Sequence, residues 1–153
     1  SISGALQGFS SDEITVEEKN GNLYVSLSEK LLFSSGSFTI DEKGADAISK
    51  LGAVLSKQDD FNIVVEGHTD NDPFNGSGVL KDNWDLSVKR ATSVVRILST
   101  TGGVSPENVS ASGRGEFLPL NSNSSTEEKA KNRRIEIVLS PKLDKIMNLL
   151  NNE

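Results

Sequence analysis

A chain of 153 residues, 35% apolar and 25% charged, has the size and make-up of one ordinary globular domain. A net charge of −6 excludes nucleic acid as the partner, because that binding needs a clustered basic surface, and leaves any anionic ligand to a local site. The absence of cysteine excludes disulfides, thiolate metal sites and cysteine nucleophiles, and no apolar run reaches the 18 residues of a membrane-spanning helix.

In chain order, Ser1 to Asp12 is small, polar and glycine-bearing and reads as a linker or arm. No signal peptide is visible, so a segment that anchors or targets the protein is expected upstream of Ser1. Ile14 and Val16, then Leu23, Val25 and Leu27, alternate on either side of Asn20-Gly21. Asn-Gly between alternating runs predicts a hairpin whose two central residues have φ > 0. After the small-residue loop at "FSSGS", Thr39 and Glu42 stand at capping-box spacing, with Asp41 as a rival cap. Ala45, Ile48, Leu51 and Leu55 form a helical stripe, and Gly52 on the same face permits close approach to a sheet.

"FNIVVEG" predicts a buried strand. "NDPFNGSGVLKDN" is a loop, and "WDLSVKRATSVVRILSTTGG" a second helix with Val88, Ala91, Val94, Val95 and Leu98 as its core face. Gly102 or Gly103 ends that helix, with Pro106 just beyond. "NVSASGRG" is a third core strand, and a short helical turn is expected after Thr126. In "RRIEIVLS", Ile135, Ile137 and Leu139 alternate with Glu136 and Val138, as in a strand covered on at least one face. "PKLDKIMNLLNN" predicts a small amphipathic helix with Pro141 at its start. The fold class is therefore α+β, a mixed sheet with helices on one face, occupying residues 13–140 between the arm and the 141–153 helix.

The lone histidine lies in "VEGHTDNDP". Zinc sites need several His, Cys or carboxylate ligands to converge, so no metal is expected. Asp70 and Asp72 resemble the start of a calcium loop, but Phe74, Asn75 and Lys81 stand where that loop requires an oxygen ligand, a glycine and a closing glutamate. His68 and Asp70, two apart, would share one side of a strand, yet the G-x-S-x-G elbow of a hydrolase is missing. "GRGEF" is not a dinucleotide loop. Neither catalysis nor a cofactor is expected.

Asn83 and Arg90 are seven apart, on one helix face two turns along, with Leu86 close by. An acid at a strand end, an amide at a helix start and a guanidinium on the early turns would then converge. Two readings stay open: a ligand site, or a structural Asp70–Arg90 ion pair.

"GHTDN", "NWDLSVKRA", "GRGEFLP" and "NRRIEIVL", in this order, resemble the OmpA-like peptidoglycan-binding domain family, in particular its OmpA/MotB subset with N-W-x-L-S-x-x-R-A. With "FSSGS" the matching blocks run from about residue 30 to 140. The resemblance implies a β-α-β-α-β-β sandwich, here preceded by the hairpin and followed by a short helix. It implies non-catalytic binding of the peptidoglycan stem peptide through its diaminopimelate residue. On this implication Asp70 and Arg90 hold the ligand and Asn83 matches the family's asparagine. Thr69 and Leu86 line the pocket, and Ser34, Gly36, Ser37, Arg133 and Arg134 are further candidates. His68 is expected to orient the loop by a hydrogen bond.

The free end of diaminopimelate carries an ammonium and a carboxylate on one carbon, which a carboxylate and a guanidinium fork suit. A lysine side chain in its place would leave Arg90 without an anion. Two departures stand out. Ser34 and Ser35 follow Phe33 where the family often has an acid or asparagine, and the stretch from Asp70 to Asn83 is long. The expected role is a periplasmic tether of the outer membrane or of an envelope complex to the wall, with a homodimer allowed and any membrane contact made upstream. The alternatives are the periplasmic part of a flagellar-motor stator and a protein-interaction module with a purely structural ion pair.

Overall fold

The structure, a computed structural model, describes residues 2–152. Alternation along β1 (Ile14–Lys19) and β2 (Asn22–Ser28) produces the hairpin, and its turn has φ of 52° at Asn20 and 81° at Gly21. A single-turn helix, α2 (Glu29–Leu32), follows β2 at once, capped by the Ser28 hydroxyl accepting from the Leu31 N–H. Then come α3 (Glu42–Leu55), β3 (Phe61–His68), α4 (Asn83–Ser99), β4 (Val109–Gly113), α5 (Thr126–Asn132), β5 (Arg134–Pro141) and α6 (Leu143–Asn151). Here α1 denotes the short N-terminal helix Ile2–Ala5.

The strands lie in the order β1-β2-β5-β3-β4, with β3–β4 parallel and the other pairs antiparallel. From β2 onward the larger elements run β-α-β-α-β-β, as expected from the sequence. One sheet face carries Val25, Leu27, Ile63, Val65, Ile135, Ile137 and Leu139 against Ile48, Leu51 and Leu55 of α3 and Ala91, Val94 and Leu98 of α4. Alternation places Glu66 and His68 of β3, and Arg134, Glu136 and Val138 of β5, on the opposite face.

Several expectations change. Residues 2–9 are not a free arm: Leu6 is buried in the core, with Ile2 and Phe9 packed against it. The α3 N-cap is the rival, Asp41, and Gly44 and Ala47 are buried while Ala45 is half-buried. Gly52 meets not the sheet but Gly102, in the turn that ends α4, where an added Cβ would lie 2.6 Å from the Gly102 Cα. On α4 the buried face is Leu86, Ser87, Arg90, Ala91, Val94 and Leu98, with Val88 43% exposed and Val95 only partly buried. The cause is the close approach of α4 to the sheet: an added Cβ on Gly67 would lie 2.1 Å from the Ser87 carbonyl oxygen. That contact turns a small residue inward and carries Val88 to the side, over Gly113. β4 is a half-exposed edge strand rather than a core strand. Pro141 ends β5, and α6 begins two residues later, after Lys142, with none of its residues buried.

Candidate functional site

Four charged side chains meet where β2 and β3 end and β5 begins. Asp70 lies two residues beyond β3, and its Oδ1 accepts from the Asp72 N–H at 2.9 Å, a local turn that fixes the carboxylate. Its Oδ2 accepts from Arg133 Nη1 at 2.6 Å. Arg133 Nε donates to Glu29 Oε1 at 3.0 Å, and Glu29 Oε2 accepts from Arg90 Nη1 at 2.5 Å. The result is an alternating run, Asp70–Arg133–Glu29–Arg90, in which the outer members do not pair with each other. The direct Asp70–Arg90 ion pair considered from the sequence is thus replaced by a four-membered chain.

Arg90 reaches inward from the second turn of α4 and is 4% exposed. Its Nε donates to the Ser37 carbonyl at 2.7 Å and its Nη2 to the Ser34 carbonyl at 3.4 Å, while the guanidinium lies 4.7 Å from the Phe33 ring centroid. The loop therefore contributes the Phe33 ring and, from Ser34 to Ser37, its backbone, with Gly36 at φ 71° making the turn. Among the described residues, three of the five N–H groups of Arg90 find acceptors. Arg133 forms the outer wall, its side chain 29% exposed. Burial opposes its charge, but the Asp70 and Glu29 carboxylates outweigh this and hold its pKa above the ordinary arginine value.

The other expected residues divide. Asn83 opens α4 and donates from Nδ2 to the Asp72 carbonyl at 3.0 Å, tying the helix start to the loop after Asp70. Thr69 is buried, its hydroxyl donating to the Asp70 carbonyl and its N–H to the Gly115 carbonyl. Leu86 is buried on the first turns of α4. Arg134 is not in the cluster: it points to the other sheet face, donating to Glu136 Oε1 at 2.9 Å and to the carbonyls of Asn132 and Leu118. Of the two adjacent arginines, Arg133 belongs to the charge cluster and Arg134 braces β5.

His68 departs from expectation. Its side chain is 2% exposed, neither ring nitrogen has a hydrogen-bond partner among the described residues, and it makes no bond to the loop. Asp70 turns toward Arg133 while His68 faces Glu66 and Glu136, so the pair that would have suggested a hydrolase diverges. Glu29 was missed by sequence reasoning. Its signal is a glutamate opening a helical turn behind the cap Ser28, but its partners lie 61 and 104 positions away.

Fold and site together define a class: an α+β domain with two helices on one face of a mixed sheet, and a semi-buried alternating charge cluster at one end of its central strands. A family model described as the OmpA family matches residues 32–133. The chain belongs to the OmpA family. It is 32% identical over 120 residues to Motility protein B of Bacillus subtilis, covering 78% of this chain and 46% of that protein. It is 34% identical over 128 residues to "Probable lipoprotein YiaD" of Escherichia coli, covering 84% and 56%. The chain thus spans about half the length of these curated relatives.

Among solved structures, the periplasmic domain of Helicobacter pylori MotB (residues 78–256) superposes with a TM-score of 0.78 at 28% identity, covering 94% of each chain. The cell wall anchor of the type VI secretion system (T6SS) of Pseudomonas aeruginosa gives 0.77 at 29% identity, over 86% of this chain and 90% of that one.

Proposed function

We propose that the chain is a non-catalytic periplasmic module that binds peptidoglycan through the diaminopimelate residue of the stem peptide. It would hold an envelope structure, such as the outer membrane, to the wall. The observation that carries this reading is the order of charges in the cluster. Arg133 sets a guanidinium on Asp70, where a ligand ammonium would be held. Glu29 sets a carboxylate on Arg90, where a ligand carboxylate would be held. The Arg133–Glu29 pair is in effect an internal stand-in for a zwitterion. An amino acid carrying both charges on one carbon would displace one or both of them, exchanging charge-assisted bonds for others of the same kind.

Because the incoming bonds replace existing ones, affinity per site is modest, and many modules on one polymer act through avidity. Membership of the OmpA family and the likeness to a cell wall anchor support the partner, and the likeness to a periplasmic domain supports the compartment. Pull-down on isolated sacculi tests the reading. Wild type should be retained on walls with diaminopimelate at the third stem position and not on walls with lysine there. Asp70→Asn and Arg90→Lys should lose retention while keeping the wild-type circular dichroism spectrum. Equal retention on both wall types, or by the variants, overturns the reading.

A stator role is the second reading. It is favoured by the match to Motility protein B and by superposition over 94% of the Helicobacter pylori MotB domain. Loss of swimming when this domain is removed from its parent protein selects the stator. Envelope leakage with motility intact selects the tether.

A further inference from the structure

On the sheet face away from the helices, we propose that Glu66, His68 and Glu136 form a binding site for a single divalent transition-metal ion of the zinc type. Glu66 and His68 are two apart on β3, and Glu136 is paired with Glu66 in the β3–β5 register, so three ligand-bearing side chains rise from adjacent positions of one rigid surface. His68 Nε2 stands 3.5 Å from Glu66 Oε1 and 3.6 Å from Glu136 Oε2, and the three donor atoms all lie within 4.8 Å of one another. Those spacings are too long for good hydrogen bonds. The two distances from His68 match the edge of a tetrahedron: ligands at about 2.0–2.2 Å from zinc lie about 3.3–3.6 Å apart.

The second observation is the histidine itself. It is 97% buried, yet neither ring nitrogen is hydrogen-bonded to any described residue, and Nε2 is aimed between the two carboxylates. A buried imidazole left in this way is unusual, and coordination satisfies it.

The surroundings are those of a prepared site. Each carboxylate has one oxygen held from behind by an arginine and the other turned to His68. Arg114 Nη2 lies 3.3 Å from Glu66 Oε2, and Arg134 Nε lies 2.9 Å from Glu136 Oε1. Such outer contacts fix ligand orientation. The glutamate side chains are 15% and 14% exposed, which gives an ion a way in and leaves coordination positions for water. One imidazole with two carboxylates and no thiolate suits zinc and its first-row neighbours rather than calcium or magnesium. A histidine count of one argued against zinc in the sequence, but register, not composition, supplies the two other ligands.

The competing occupant is a proton, which would make His68 an imidazolium bridging the two glutamates. Calorimetric titration of the chelator-treated chain with zinc chloride separates the two, read beside the ¹⁵N resonances of the single imidazole. The proposal expects one zinc per chain and a His68 Nε2 resonance that moves to the metal-bound position. It expects affinity to be at least about tenfold weaker in His68→Gln and in Glu136→Gln, and unchanged in Asp46→Asn, a surface carboxylate of α3. If His68→Gln does not fold, Glu136→Gln and the imidazole resonances carry the result. Sub-stoichiometric binding, equal affinity in Glu136→Gln (an adventitious ion only), or an imidazole that stays doubly protonated in excess zinc overturns it.

Discussion

Asn132, fully buried, holds the approach to the charge cluster from one position. Its Oδ1 accepts from the Leu120 N–H at 2.7 Å, and its Nδ2 donates to Asn121 Oδ1 at 2.8 Å and Asn123 Oδ1 at 2.7 Å. Asn132→Ala strands these partners, so a loss of about 1–3 kcal/mol is expected, read from the urea midpoint. Glu13 gives a pH test. Hydrogen bonds first from Lys43 and then from the Ser10 N–H hold its carboxyl below the ordinary value of 4.5. A depressed folded-state pKa means its contribution is complete above 4.5 and fades as pH falls through the lower folded value. Glu13→Gln should therefore be less stable than wild type at pH 7, and the two should converge at strongly acid pH in urea titrations. Asp70, Asn83 and Arg90 could be singled out in the sequence because motif spacing marks them. Glu29 could not, because only the fold brings it between two distant arginines.

At the scale of elements, what was local was readable. Asn20-Gly21 dictated its hairpin through the φ angles the turn requires, and the alternation in "RRIEIVLS" marked the covered face of β5. The seating of α4 was not readable. A stripe of valines suggested one inward face, but the helix is rotated so that Ser87 and Arg90 face inward and Val88 looks out over the edge. Hydrophobic periodicity cannot register a contact made by the absence of a side chain, and Gly67 is that absence. Gly67→Ala would force a methyl group onto the Ser87 carbonyl at 2.1 Å, so α4 must shift. Destabilisation at or above the usual overpacking cost of about 1–3 kcal/mol is expected. Since α4 carries Asn83 and Arg90, wall binding should weaken with it. Thermal unfolding and sacculus retention measured on one variant check both.

Over the whole molecule, the charge cluster and α6 sit at opposite ends of the strands. Pro141 pairs with Phe61, where β3 begins, and Asp70 lies past where β3 ends. None of α6 is buried, and its side-chain ion pair to the sheet domain, Lys145 to Asp60 at 3.5 Å, is exposed. Exposed pairs contribute little. Truncation after Lys142 should therefore leave the urea midpoint and sacculus retention near wild type. Its apolar residues stay largely open, Leu143 at 70%, Leu150 at 60% and Leu149 at 73% exposure.

In the proposed site, opposite charges are spaced for the zwitterionic end of one small amino acid. Calorimetric titration of free diaminopimelate into the chain tests it most directly. Saturable one-site binding by wild type is expected, with no binding by Asp70→Asn and no detectable heat with cadaverine (1,5-diaminopentane), which offers ammonium ends without a carboxylate. Equal affinity for cadaverine and diaminopimelate, or an unchanged isotherm in Asp70→Asn, would contradict the proposed site.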